Sequence, residues 1–236
     1  MCGIVGYIGN NNPSNVVIAG LKRLEYRGYD SAGISLFQPH STALLTVKTT
    51  GKVKDLESLL SKANVDEPVK DNPGLAIGHT RWATHGEPVE VNAHPHLSQN
   101  GKFSIVHNGI IENYLELKEL LSNKGYVFRS DTDSEVIANL VEDYYSGDFR
   151  EAVIKALEQL EGTYGIIVMS TQHPGLLIAA RNGSPVAVGV CDGETIIASD
   201  VSALISHTKR VVYLDDGDVL TASNEHFDIS SLKNVP

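Results

Sequence analysis

Apolar and polar positions along this chain follow two periods, and they trade places several times. The run GIVGYI (3–8) reads as a buried strand, and Val17, Leu21 and Leu24 then recur on one face of a helix over about 14–26. YRGYDSAG (26–33) is a glycine-rich turn, after which SAGISLF (31–37), ALLTVKT (43–49) and GLAIGHTR (74–81) read as strands, with a short helix at VKDLESLLSK (53–62) between the last two. An unusually polar loop, WATHGEPVEVNAHPHLSQNG (82–101), separates these from the strand FSIVHNG (103–109). Asn113 and Glu116 have capping-box spacing and Gly125 supplies a stop, so a helix is expected over 113–123. Thr132 and Glu135 repeat the spacing and place Asp133 in the first turn of another helix. From Thr163 onward the pattern is nearly all strand: TYGIIVMS, GLLIAA, PVAVGV, ETIIAS, RVVYL and DVLTA, joined by short turns. Runs of strands with helices grouped between them predict an α+β fold of antiparallel sheets covered by helices. With no repeat, low-complexity tract or convincing linker, one domain over 1–225 is expected, and the polar stretch over 226–236 reads as a tail or the start of a linker.

Composition narrows the function. The 236 residues, 42% of them hydrophobic, suffice for a sizeable core. A net charge of −10 argues against nucleic acid or an anionic membrane surface as the main partner. No apolar run is long enough to cross a bilayer, and MCGIVGYIG has no basic segment of the kind that opens a signal peptide, so a cytosolic protein is expected. Two cysteines, Cys2 and Cys191, make neither a disulfide framework nor a paired-cysteine zinc motif.

Cys2 stands where termini usually fray, which is an odd place for a thiol. If Met1 is removed, that residue carries a thiol and a free α-amine on one backbone unit, a nucleophile beside its own base. The plainer alternative is a small buried hydrophobe. Arg81, at a strand end, could clamp a carboxylate bidentately or form a surface ion pair. Asn108 and Gly109 put a side-chain amide beside a glycine N–H, suited to an oxyanion but equally to a turn. Asp133 could hold an ammonium or compensate a helix dipole. Five histidines lie between His79 and His107, yet HPH is interrupted by proline, no His-x-x-x-His pattern occurs and carboxylates are sparse, which argues against a metal.

Taken in order, MCGIVGYIG, LEYRGYDSAG (24–33), GHTRWATHGEP (78–88), NAHPH (92–96), VHNGIIEN (106–113) and SDTDSEVIA (130–138) resemble the glutaminase half of the glucosamine-6-phosphate synthase family, within the N-terminal-nucleophile glutamine amidotransferases. YRGYDSAG and TRWATHG favour that aminosugar branch over relatives making purine precursors or asparagine. The resemblance implies a four-layer sandwich in which two antiparallel sheets lie between helices. It implies that Cys2 attacks the side-chain amide of L-glutamine, that Asn108 and Gly109 hold the oxyanion, and that Arg81 and Asp133 take the substrate's α-carboxylate and α-ammonium. Trp82, Thr84 and His85 would belong to a loop that closes over glutamine, and Arg27 would support the Cys2 region or the ammonia exit. No metal or other cofactor is implied. The family's enzyme continues into a sugar-isomerising half that binds fructose 6-phosphate and receives the ammonia; this chain is expected to lack that half. A non-catalytic glutamine-binding domain and an amidohydrolase for another amide are the rival readings.

Overall fold

Strand β1 (Gly3–Gly9) is buried along its whole length and serves two cores at once. Its side chains alternate: Val5 and Tyr7 pack toward helices, while Ile4 and Ile8 point into the space between two sheets. In this computed structural model, which describes residues 2–38, 43–63, 65, 73–82 and 87–232, that double burial repeats in the strands around it. The first sheet contains β1, β2 (Ser31–Phe37), β3 (Leu44–Thr50), β4 (Gly74–Arg81), β9 (Ala187–Cys191), β10 (Glu194–Ala198) and β11 (Val211–Tyr213), in the spatial order β11-β9-β10-β1-β4-β2-β3. The second contains β5 (His96–Leu97), β6 (Phe103–Ile111), β7 (Gly162–Ser170), β8 (Leu177–Asn182), β12 (Asp218–Ala222) and β13 (Phe227–Ser231), in the order β13-β12-β8-β7-β6-β5. Neighbouring strands in both sheets pair antiparallel.

Helices close the two outer faces. Helices α1 (Pro13–Leu24) and α2 (Val53–Leu60) bury Val17, Leu21, Leu24 and Leu56 with Val5, Tyr7 and Ile34 of the first sheet. Helices α3 (Tyr114–Asn123), α4 (Glu135–Tyr144) and α5 (Phe149–Leu157) bury Leu121, Val136, Leu140 and Val153 with Phe103, Ile105 and Ile166 of the second. Between the sheets Ile4, Ile77, Val106, Ile167, Met169 and Leu177 form the central core. The result is the expected α+β sandwich of four layers, with two antiparallel sheets inside. A hydroxyl chain crosses it, since Ser104 donates to Ser35 at 2.8 Å and Ser35 meets Thr46 at 2.7 Å. Gly6 marks where the sheets approach most closely to the β1 backbone: a Cβ there would lie 2.9 Å from Ile167 Cδ1.

Several expectations shift. The first helix starts at Pro13, capped by Asn12 accepting from the Asn15 amide at 3.1 Å, and ends at Leu24, with 25–27 tightening into a 3₁₀ turn. Asn113 precedes α3 as expected, but its side chain does not cap; its amide ties to Gln159 and Glu161 across the structure. Gly125, at φ +96°, ends that helix as predicted. Helix α5 was not anticipated, although Asp148 caps it through the Glu151 amide at 2.9 Å and Phe149, Ala152, Val153 and Ala156 have helical spacing. The stretch expected to be a tail, 226–236, contributes β13, because Phe227 and Ile229 alternate onto the central core while β12 supplies ladder bonds.

Gly6→Ala should therefore lower the unfolding free energy by about 1–3 kcal/mol in urea titration, the cost of overpacking a close-packed layer. Gly175→Ala, whose added Cβ would meet nothing within 4 Å, should stay within about 0.5 kcal/mol of the parent. Equal effects at the two positions would contradict the sheet contact.

Candidate active site

The register of the first sheet brings Cys2 to its partners. Gly3 pairs with Thr80 of β4, so one residue further back Cys2 faces Arg81 and Trp82. The Trp82 amide donates to Cys2 Sγ at 3.2 Å, and the thiol reaches the Trp82 carbonyl at 3.6 Å. From the second sheet, the Asn108 side-chain amide donates to the Cys2 carbonyl oxygen at 3.1 Å. A terminus that composition would leave frayed is thus held between two strands of one sheet and stitched to a strand of the other. Burial pushes the Cys2 thiol above its ordinary pKa, partly offset by the Trp82 amide and the Arg81 charge.

A cleft opens beside the thiol, lined by Cys2, Arg81, Trp82, His94, Gly109 and Asp133, together with His107, Thr132 and Ser134. Arg81 is only 3% exposed and one guanidinium nitrogen donates to the Glu87 carbonyl at 3.2 Å. Burial lowers its pKa, yet a guanidinium stays charged at neutral pH. Asp133 is also buried; one oxygen accepts from the Ile111 amide at 2.8 Å and the other from the Ser134 hydroxyl at 3.1 Å. The cleft therefore offers a buried cation and a buried anion beside a nucleophilic atom. Trp82 is half-exposed at the rim, edge-on to Tyr29 at 5.6 Å. Gly109 adopts φ +137°, and a Cβ there would collide with the Thr163 carbonyl at 2.0 Å, so no other residue fits. On the other side of Cys2 a second hollow is lined by Arg27, Asn108, Gly109 and Ile110. Arg27 is buried and paired to Asp200 at 2.9 Å.

A family model described as "Glutamine amidotransferase domain" matches residues 79–206, more than half the chain. The chain belongs to the glutamine amidotransferase domain family. This amidotransferase domain is 48% identical over 236 residues to a glutamine–fructose-6-phosphate aminotransferase (isomerizing) of Thermus thermophilus, covering 100% of the chain and 38% of that relative. It is 49% identical over 234 residues to the enzyme of the same name from Haemophilus influenzae, covering 97% of the chain and 36% of the relative. The chain thus spans well under half the length of the curated relatives it matches. Among solved structures, the glutamine phosphoribosylpyrophosphate amidotransferase of B. subtilis superposes with a TM-score of 0.81 at 26% identity, over 98% of this chain and 49% of that one. Among the described residues no helix is long and apolar enough to cross a membrane.

Of the residues singled out from sequence, Cys2, Arg81, Trp82, Asn108, Gly109 and Asp133 gather around the thiol, and Arg27 lies in the adjoining hollow. Thr84 and His85 lie outside the described residues. Asp133 is not in the first turn of a helix: α4 starts at Glu135, and Asp133 sits in the turn before it. The Glu135 carboxylate reaches back to the Ser130 amide at 2.7 Å, and Thr132 Oγ1 turns to His96 at 3.0 Å, so the anticipated capping box does not form. Cys191 ends β9, half-buried and outside the cleft lining.

Sequence reasoning weighed the histidines only as metal ligands and missed what they build. His79, His94, His96 and His107 are all buried; His79 stacks on His94 at 4.2 Å, and His96 meets His94 edge-on at 4.5 Å. Both ring nitrogens of His94 lack a hydrogen-bond partner among the described residues. Burial depresses His79 to about 3 and drives His94 and His96 well below the usual imidazole value, so these rings are neutral at pH 7. The spacing HPH was the available signal, but burial of all four rings depends on two sheets meeting.

The sign of the resulting pH dependence follows from linkage. A histidine whose folded pKa lies below the unfolded value of about 6.5 binds fewer protons when folded, so its contribution is full above that pH and is lost as pH falls toward the folded pKa. Between pH 7 and pH 5 His79 should cost roughly 2 kcal/mol of stability, and His94 and His96 should add to the loss in the same direction. Urea unfolding at the two pH values checks this. A midpoint unchanged between them would mean that the rings are charged or exposed.

Proposed function

We propose that the chain hydrolyses L-glutamine to glutamate and ammonia through a thioester on Cys2, as the ammonia-supplying part of a longer enzyme that makes glucosamine 6-phosphate from fructose 6-phosphate. The observation that carries the reading is the cleft in which the Cys2 thiol lies with buried Arg81 and Asp133. Glutamine is a zwitterion, and two buried charges of opposite sign match its α-carboxylate and α-ammonium while leaving its side-chain amide for the sulfur. The similarity of the whole chain to aminotransferases named for glutamine and fructose 6-phosphate supports the substrate and the longer enzyme.

In this reading Cys2 gains a free α-amine when Met1 is removed. A thiol raised by burial is a poor nucleophile until it is deprotonated, and the amine, with a reference pKa near 8, takes its proton. The thiolate adds to the amide carbon, and the oxyanion is held by the Asn108 side chain and the Gly109 N–H. The amine returns the proton to the leaving nitrogen, ammonia departs, and water cleaves the thioester to release glutamate and regenerate the thiol. Trp82 at the rim, with Thr84 and His85, closes over the substrate. Arg27, fixed by Asp200, lines the hollow that Cys2 shares and supports the Cys2 region or the path by which ammonia leaves. Any connection to that part begins after β13, and no metal, nucleic acid or membrane enters the scheme. Two free cysteines in a reduced state fit a cytoplasmic protein.

Cys2→Ala should abolish ammonia release while isothermal titration still detects glutamine, since the charged contacts remain; Cys191→Ala should keep activity. Loss of binding in Cys2→Ala, or of turnover in Cys191→Ala, would move the nucleophile. Arg81→Lys should lower kcat/KM by roughly 10- to 10²-fold despite conserving charge, because an ammonium cannot reproduce a guanidinium's paired hydrogen bonds. Asp133→Asn should cost as much with glutamine yet little further with a glutamine analogue lacking the α-amine. An unchanged preference between the two substrates in Asp133→Asn would make Asp133 purely structural.

A further inference from the structure

We infer that His79, which is buried and does not line the cleft, is a positioning residue that locks the Asn108 side-chain amide with its N–H groups toward Cys2. This rests on the reading of Asn108 as the oxyanion donor. Two backbone carbonyls, those of His107 and Cys2, flank this contact and can only accept. His79 Nε2 lies 3.1 Å from the His107 carbonyl oxygen, so that nitrogen carries a hydrogen. The same nitrogen lies 3.1 Å from Asn108 Oδ1, so the side-chain oxygen of Asn108 accepts from it. At the other end the Asn108 nitrogen donates to the Cys2 carbonyl at 3.1 Å. Turning the amide over would set its oxygen against the Cys2 carbonyl and its N–H groups against the His79 N–H, replacing two hydrogen bonds with two repulsive contacts. The orientation of the amide is therefore fixed by chemistry at both ends. One amide hydrogen is committed to the Cys2 carbonyl, and the second remains for the oxyanion.

The environment of His79 suits this task. The ring is 0% exposed, is stacked on His94, and is kept neutral by burial, so it carries a single ring proton. The His107 carbonyl assigns that proton to Nε2, and among the described residues Nδ1 has no hydrogen-bond partner competing for it. His79 follows Leu75 and Ile77 of the central core along the inward face of β4, and Arg81 comes after it at the cleft. The ring thus occupies the point where the apolar core gives way to the cleft, and hands one polar contact across from the first sheet to the second.

The test compares two substitutions of similar polarity. The terminal amide of His79→Gln reaches the position of Nε2, whereas that of His79→Asn reaches only the position of Nδ1. Glutamine hydrolysis by His79→Asn should show kcat reduced roughly 10- to 10²-fold with KM little changed, approaching the loss of roughly 10²- to 10³-fold expected for Asn108→Ala. His79→Gln should recover most of that kcat. The double variant His79→Asn/Asn108→Ala should be no slower than Asn108→Ala alone, because a residue acting through Asn108 has nothing left to position. Equal kcat for the Gln and Asn variants, or losses that multiply in the double variant, would overturn the inference. Normal kcat in Asn108→Ala would remove the oxyanion reading and this inference together, whereas a slow Asn108→Ala beside a fast His79→Asn would remove this inference alone. Nitrogen-15 NMR of the unaltered chain needs no variant to fold. It should find His79 as the neutral Nε2–H tautomer at pH 7, and the Nδ1–H tautomer or an imidazolium would refute the assignment.

Discussion

The ladder that holds β1 between β4 and β10 is the constraint on which the site depends. Its pairing fixes Gly3 against Thr80 and Val5 against Ala198, so the chain's second residue has no freedom to drift from the end of β4. A backbone ladder is an unusual mount for a candidate site residue, because functional side chains more often project from loops. Here the gain is rigidity: the thiol, the Trp82 amide and the Arg81 guanidinium are positioned by one register. Any slip by a single residue would turn Ile4 and Ile8 out of the central core and face Val5 and Tyr7 into it, so the hydrophobic pattern of β1 guards the geometry of Cys2.

Where the two sheets meet, the central core changes character. Ile77 and Val106 give way along their strands to His79 and Asn108, and polar groups cross between sheets whose central contacts are otherwise mostly apolar. Buried polar groups are costly unless paired, and most here are paired: His107 Nδ1 with Ser134 at 2.8 Å, Ser134 with Asp133, Asp133 with the Ile111 amide. Among the described residues the His94 nitrogens and His79 Nδ1 are exceptions, in rings whose neutrality limits the penalty. A buried, largely neutral surround strengthens the electrostatic reach of the charged groups that remain there, Arg81 and Asp133.

Much of this was legible in the sequence. The apolar runs gave nearly every strand, and the order and wording of MCGIVGYIG, TRWATHG, VHNGIIEN and SDTDSEVIA pointed to Cys2, Arg81, Trp82, Gly109 and Asp133, which line one cleft, and to Asn108, which lines the adjoining hollow. Local rules failed where long-range contacts outbid them. Glu135 and Thr132 have capping spacing, yet their side chains turn to Ser130 and His96 instead, which moves Asp133 out of the helix. Asn113 similarly leaves its cap for Gln159. Phe227–Ser231 looked irregular because an edge strand with one buried face needs only Phe227 and Ile229 to be apolar. The histidine cluster was not legible at all, since His79 and Asn108 meet only when strands from different sheets are stacked.

The central claim, that Cys2 is the nucleophile of a glutamine site, is tested most directly by intact mass and peptide mapping after incubation with a glutamine analogue bearing an electrophile in place of the side-chain amide. The account predicts one adduct per chain, on Cys2, in molecules that have lost Met1, with free glutamine slowing its formation. An adduct on Cys191, or one on Cys2 whose formation glutamine does not slow, would contradict it.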